Sequence, residues 1–173
     1  AQQEVYVVSN NIDIVSKEVL EDYFRGFGLF PEFLYPEEAG QIKGAKLLII
    51  LGGPDALYGT GLLVTKYLDS LEIGFIRQPG QRFTFIKSDI YGYADRVIII
   101  AGDTRERTYE EVFNLINGSN VSFQNEIQNV AEGKVQIKDL PLILSSISYT
   151  TETVDKIGHI YLKIQNYGKG KAT

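Results

Sequence analysis

Two loops of this sequence hold the side chains best suited to chemistry. Leu47-Leu48-Ile49-Ile50-Leu51 runs straight into Gly52-Gly53-Pro54-Asp55-Ala56, and Val97-Ile98-Ile99-Ile100-Ala101 runs into Gly102-Asp103-Thr104-Arg105-Glu106-Arg107-Thr108. If the apolar runs are neighbouring strands, both loops lie at the carboxyl edge of one sheet, where open α/β sheets place ligands. Asp13, Asp55, Asp103, Arg105 and Arg107 then converge over the Gly52-Gly53 backbone as a cation site or a sugar-binding cluster. Two arginines suit a phosphate or carboxylate better than a metal, and paired aspartates leave hydrolysis open. The same residues also have architectural readings. Asp103-Thr104-Arg105-Glu106 matches a capping box with Asp103 as the cap, Asp13 can cap the first helix, and adjacent glycines before a proline serve a tight turn.

Other chemistries find little support. Ser9-Asn10-Asn11 stands where a dinucleotide fold would carry its glycine fingerprint, and there is no G-K-[ST] phosphate loop. The single histidine, His159, lies far along the chain from any candidate serine, and the G-x-S-x-G elbow is absent. With no cysteine, disulfides, zinc–thiolate centres and thiol catalysis drop out together. No cofactor and no metal centre is expected. The net charge of −5, without a basic stripe, argues against nucleic acid as a partner.

The elements that must position these loops follow from periodicity. Glu4–Ser9 reads as a first strand and Ile14–Phe27 as a helix with Val15, Val19, Leu20, Tyr23, Phe24 and Phe27 on one stripe. Gly28 ends that helix, Phe33–Tyr35 is a short second strand and 46–51 a third. A helix over 61–71 buries Leu63, Val64, Tyr67, Leu68 and Leu71. Residues 82–87 alternate as a strand, and 96–101 is the next. Tyr109, Val112, Phe113 and Ile116 mark a helix at i, i+3, i+4, i+7, with another near Phe123–Ala131. Continuous Leu/Ile/Val strands between helices predict a three-layer α/β fold with a mostly parallel sheet, Rossmann-like or flavodoxin-like. Residues 1–133 form this α/β domain. From 134 to 173 the period turns to β, with strands at 135–137, 142–144 and 159–164 separated by a Ser/Thr-rich spacer at 145–153. This extension is too small to fold alone and reads as part of an incomplete or inter-subunit β-domain.

Asn117-Gly118-Ser119 and Asn120-Val121-Ser122 are adjoining glycosylation acceptors on one loop. Ala1-Gln2-Gln3 is what cleavage of a signal peptide leaves, and no run reaches transmembrane length. Eleven Tyr, nine Phe and no Met or Trp lean towards a heat-adapted or exposed protein.

The segments LLIILGGPDALYGTGLLVTKYL and DRVIIIAGDTRERTYEEVFNLI, spanning about residues 46–116, resemble the strand–GGP–helix and strand–AGxxRxxT–helix pattern of archaeal S-layer and related cell-surface proteins. That resemblance implies a structural module in which Gly52, Gly53, Pro54, Ala101, Gly102, Arg107 and Thr108 are architectural. HIYLKIQNYGKGKAT resembles the opening strand of an immunoglobulin-like adhesion module. Together they imply a non-enzymatic, exported envelope protein that carries glycans and assembles with its own copies or other envelope proteins. The alternative is a sugar- or anion-binding, even hydrolytic, domain using the loops after 46–51 and 96–101.

Overall fold

The computed structural model describes residues 4–11, 14–133, 144–154 and 157–166, and the chain divides into two compact units, Ala1–Lys134 and Val135–Thr173. In the first unit, β1 (Val5–Ser9), β2 (Glu32–Leu34), β3 (Ala45–Leu51), β4 (Arg82–Ser88) and β5 (Ala94–Gly102) form one sheet in the order β2-β1-β3-β5-β4. All neighbours are parallel except β4, which runs antiparallel to β5. The fold is therefore the mostly parallel α/β architecture that the apolar strands predict.

Strand alternation divides the core. Val5, Val7, Leu47, Ile49, Leu51, Ile98 and Ile100 face α1 (Ile14–Arg25), α4 (Arg105–Ile116) and α5 (Val121–Ala131). Val8, Leu48, Ile50, Val97, Ile99 and Ala101 face a 3₁₀ turn (Pro36–Gln41), α2 (Thr60–Val64) and α3 (Ser70–Ile76). Because both faces are covered, the central strands carry unbroken apolar runs, Leu47–Leu51 and Val97–Ala101, and not alternating ones.

The sequence reading needs correction at several elements. The expected helix over 61–71 is two helices. Asp69 opens the second: its carboxylate accepts from the amides of Leu71 and Glu72 at 2.9 Å, and Glu72 accepts from the Asp69 amide. This restart turns Leu71 out to solvent at 82% exposure and buries Ile76 instead. On α4 the buried face is Thr108, Val112 and Leu115, so Tyr109 and Phe113, expected on the core stripe, are exposed. Phe27 lies beyond the end of α1 and is exposed.

The Ser/Thr-rich stretch at 145–153 is no spacer. It lies within β6 (Leu144–Val154), which pairs antiparallel with β7 (Ile157–Asn166) in a two-stranded sheet of the second unit. Threonine-rich sequence is strand-compatible through β-branching. The expected strand at 135–137 lies outside the described residues. Among the described residues no helix is long and apolar enough to cross a membrane.

Candidate functional site

The chain leaves β3 towards the α2/α3 face and leaves β5 towards α4 on the opposite face. Their loops part, and a cleft of about 330 Å³ opens between them at the carboxyl edge, with Asn10 from the loop after β1 at one side. Diverging connections are what create a ligand crevice in an open α/β sheet.

Glycines let the two loops meet. A Cβ on Gly53 would lie 2.4 Å from the Gly102 carbonyl oxygen, and one on Gly102 would lie 2.5 Å from the Thr108 amide nitrogen. Gly52 takes φ 131°, a conformation side chains resist, while its amide donates to the Ile100 carbonyl at 2.9 Å. Asn10 donates from Nδ2 to the Leu57 carbonyl at 3.2 Å and ties the β1 and β3 loops together.

The charged side chains around this cleft are held in pairs. Asp55 takes a two-pronged contact from Arg77 at the end of α3, with Nε and Nη2 at 2.9 and 2.7 Å. The hydrogen bonds from Arg77 hold the Asp55 carboxyl below its ordinary range, and Asp55 in turn raises the Arg77 guanidinium. Arg105 Nε donates to Glu106 at 2.7 Å. That contact, followed by the Glu106 backbone amide, lowers the Glu106 carboxyl.

Asp103 is not the cap of α4. That position belongs to Thr104, whose hydroxyl oxygen accepts from the Arg107 amide at 3.2 Å, so the cap lies one residue later than expected and the reciprocal half of the expected capping box is lost, Arg107 standing where it needs a carboxylate. Asp103 instead staples the turn before β4 to the end of β5. Its Oδ2 accepts from the Gly80 amide at 2.7 Å, and its own amide donates to the Gln81 carbonyl at 3.0 Å. Its Oδ1 is buried and has no hydrogen-bond partner.

The structure thus gathers Gly52, Gly53, Asp55, Asp103 and Arg105 around one cleft. Arg107 is directed elsewhere: it meets Glu110 at 2.6 Å, alongside Arg82 from β4 on the same carboxylate oxygen. Asp13 lies outside the described residues. Arg77 and Asn10 are polar cleft residues absent from the sequence expectation, as are the apolar Leu57 and Ile76. Arg77 is 22 positions from Asp55, and no local pattern relates them. Asn10 did carry a signal, as a polar residue directly after a buried first strand.

Both acceptor asparagines are in the α4–α5 connection. Asn117 is exposed and ends α4, its Nδ2 donating to the Phe113 carbonyl at 2.9 Å. Asn120 is half-buried and caps α5, its Oδ1 accepting from the Phe123 amide at 3.0 Å. Among the described residues no three His, Cys, Asp or Glu side chains are grouped to hold a metal ion. Comparisons with protein-family models, curated proteins and solved structures found no match.

Proposed function

We propose that this chain is an exported, S-layer-related component of a cell surface or envelope, a structural module that works by contact with its own copies or other envelope proteins. The observation that carries this reading is the pairing around the cleft. Asp55 is committed to Arg77, Glu106 to Arg105, and Asp103 to a backbone amide. A catalytic centre sets titratable groups facing substrate with their pKa values poised near the working pH. Here Asp55 and Glu106 are moved further from neutrality.

Two further features support it. Leu57, Tyr58 and Leu62 are 59, 66 and 76% exposed within six residues, an apolar surface of the kind that partner proteins cover. The exposed Asn117 is accessible to a glycosyl transferase. Surface biotinylation and fractionation of the native cells, with light scattering of the purified chain, test the reading. Recovery in the envelope fraction and reversible self-association are expected. A cytoplasmic, strictly monomeric protein would overturn it.

A second reading, ligand binding at the carboxyl edge, is favoured by one observation. A crevice of about 330 Å³ opens between the loops after β3 and β5, lined by Asn10, Asp55, Arg77, Asp103 and Arg105.

A further inference from the structure

The two edges of the α/β sheet differ. β2 closes one side with three residues between Pro31 and Pro36, and short, proline-flanked strands are how natural sheets guard an edge. β4 closes the other side with seven residues, Arg82–Ser88, which contain no proline and pair with β5 in unbroken register. Its cations do not guard it. Arg82 turns to Glu110 and Glu111 on α4, and Lys87 turns to Glu72 on α3. Phe83 is 49% exposed and meets Phe75 of α3 edge-to-face, ring centroids 6.1 Å apart, with the exposed Leu71 one turn earlier on that helix.

Hydrogen-bond parity shows which backbone groups of β4 are open. The Asp103 amide donates to the Gln81 carbonyl at 3.0 Å, and the Ile100 carbonyl, opposite Thr84, is taken by the Gly52 amide at the end of β3. Bonded and non-bonded pairs alternate along an antiparallel ladder, so Phe83, Phe85 and Lys87 are the residues that bond to β5. The amides and carbonyls of Arg82, Thr84, Ile86 and Ser88 point to the free side. Among the described residues no strand lies beyond them, and no turn or side chain bonds to them.

We propose that β4 pairs antiparallel with β4 of a second copy of this chain, about a two-fold axis beside Phe85, and joins the two α/β sheets into one. This rests on the assembly reading above and gives that assembly its surface. In this register Arg82 lies opposite Ser88 of the second copy and Thr84 opposite Ile86, so every outward amide and carbonyl on both strands is used. Phe85 meets its own counterpart, and Phe83 lies opposite Lys87. No two like charges face each other across the strands, and an aromatic ring faces a cation. Both α3 helices come to the same side of the joined sheet, where Leu71, Phe75 and Phe83 of each copy add an apolar seam. With the β2 edge guarded, the pairing is isologous and closes at two sheets.

The test is amide hydrogen exchange of the full chain, followed together with sedimentation velocity from about 10 μM to 1 mM. A dimer is expected. The amides of Arg82, Thr84, Ile86 and Ser88 should gain protection as concentration rises, while those of Phe83, Phe85 and Lys87 stay protected throughout. Phe83→Lys sets a lysine opposite Lys87 on both halves of the interface, whereas Phe83→Glu sets a carboxylate there, so the lysine variant should associate at least about tenfold more weakly than the glutamate variant. Equal weakening by both would reduce the contact to an apolar patch and overturn the strand pairing. Protection of the outward amides that is independent of concentration would assign the edge to a segment of the same chain and likewise overturn it. Self-association with those amides unprotected would overturn the pairing and leave the assembly reading standing, and a monomer at the highest concentration would overturn both. If either variant fails to fold, exchange and sedimentation of the unaltered chain decide the question.

Discussion

Thr104 and Asp103 show how closely adjacent residues divide their duties. The hydroxyl that caps α4 belongs to Thr104, so Thr104→Ala should lower stability by about 0.5–2 kcal/mol in chemical denaturation. Asp103 acts across the chain on Gly80, so its removal should loosen the 78–81 turn, visible as faster amide exchange there, with α4 intact. Asp55 predicts a pH dependence. Arg77 lowers its folded pKa below the unfolded value, so the stabilisation is present above the ordinary carboxylate range and lost as pH falls through the lower folded value. Both partners are more than half exposed, so solvent screening keeps the contribution small. Wild type should therefore exceed Asp55→Asn in stability at pH 6, and the gap should narrow as the medium is acidified past the ordinary carboxylate range. Denaturant titrations across a series of pH values check this.

At the level of elements, the parallel strands were readable because burial on both faces leaves an unbroken apolar run, and Leu47–Leu51 and Val97–Ala101 are unmistakable on that ground. The loops after them were readable for the same reason, as the first polar residues past a buried strand. Other features depended on tertiary context. The register of α4 was misassigned because aromatic residues outweighed Thr108 and Leu115 in the apolar pattern, yet the close approach of Gly102 to Thr108 selects the face. The break between α2 and α3 was written in Asp69-x-x-Glu72 but masked by the leucines around it. The Asp55–Arg77 pairing had no local trace at all. Packing of α5 is a further matter of elements: Phe123 is fully buried and stacks on Tyr23 of α1 with ring centroids 5.9 Å apart. Phe123→Ala should cost about 3–5 kcal/mol, and proteolysis should then reach the 117–131 segment first.

At the largest scale, among the described residues both apolar layers are built from residues between Val5 and Val130. Removal of 135–173 should thus leave the first unit cooperatively folded, with native-like circular dichroism and a melting temperature within a few degrees of the full chain. A truncated protein that unfolds or loses its cooperative transition would show that its core reaches further than the α/β unit. If the assembly proposal holds and the second unit supplies contacts, the same truncation should reduce self-association in light scattering. A truncated chain that associates as before would assign those contacts to the α/β unit.

The antiparallel placement of β4 against β5 also bears on how the first unit reaches its native state. Asp89 closes the connection between them, its two oxygens accepting from the amides of Tyr91, Tyr93 and Ala94. Ser88 therefore meets Arg96 after only a short loop, whereas Val5 must find Leu47, and Ala45 must find Ala94, across more than forty residues of chain. Loop-closure entropy favours the near partner. The 82–102 hairpin should form first in refolding, and the longer-range pairings that seat β3 between β1 and β5 should follow. In pulse-labelled exchange its amides would then gain protection ahead of those of Val5–Ser9.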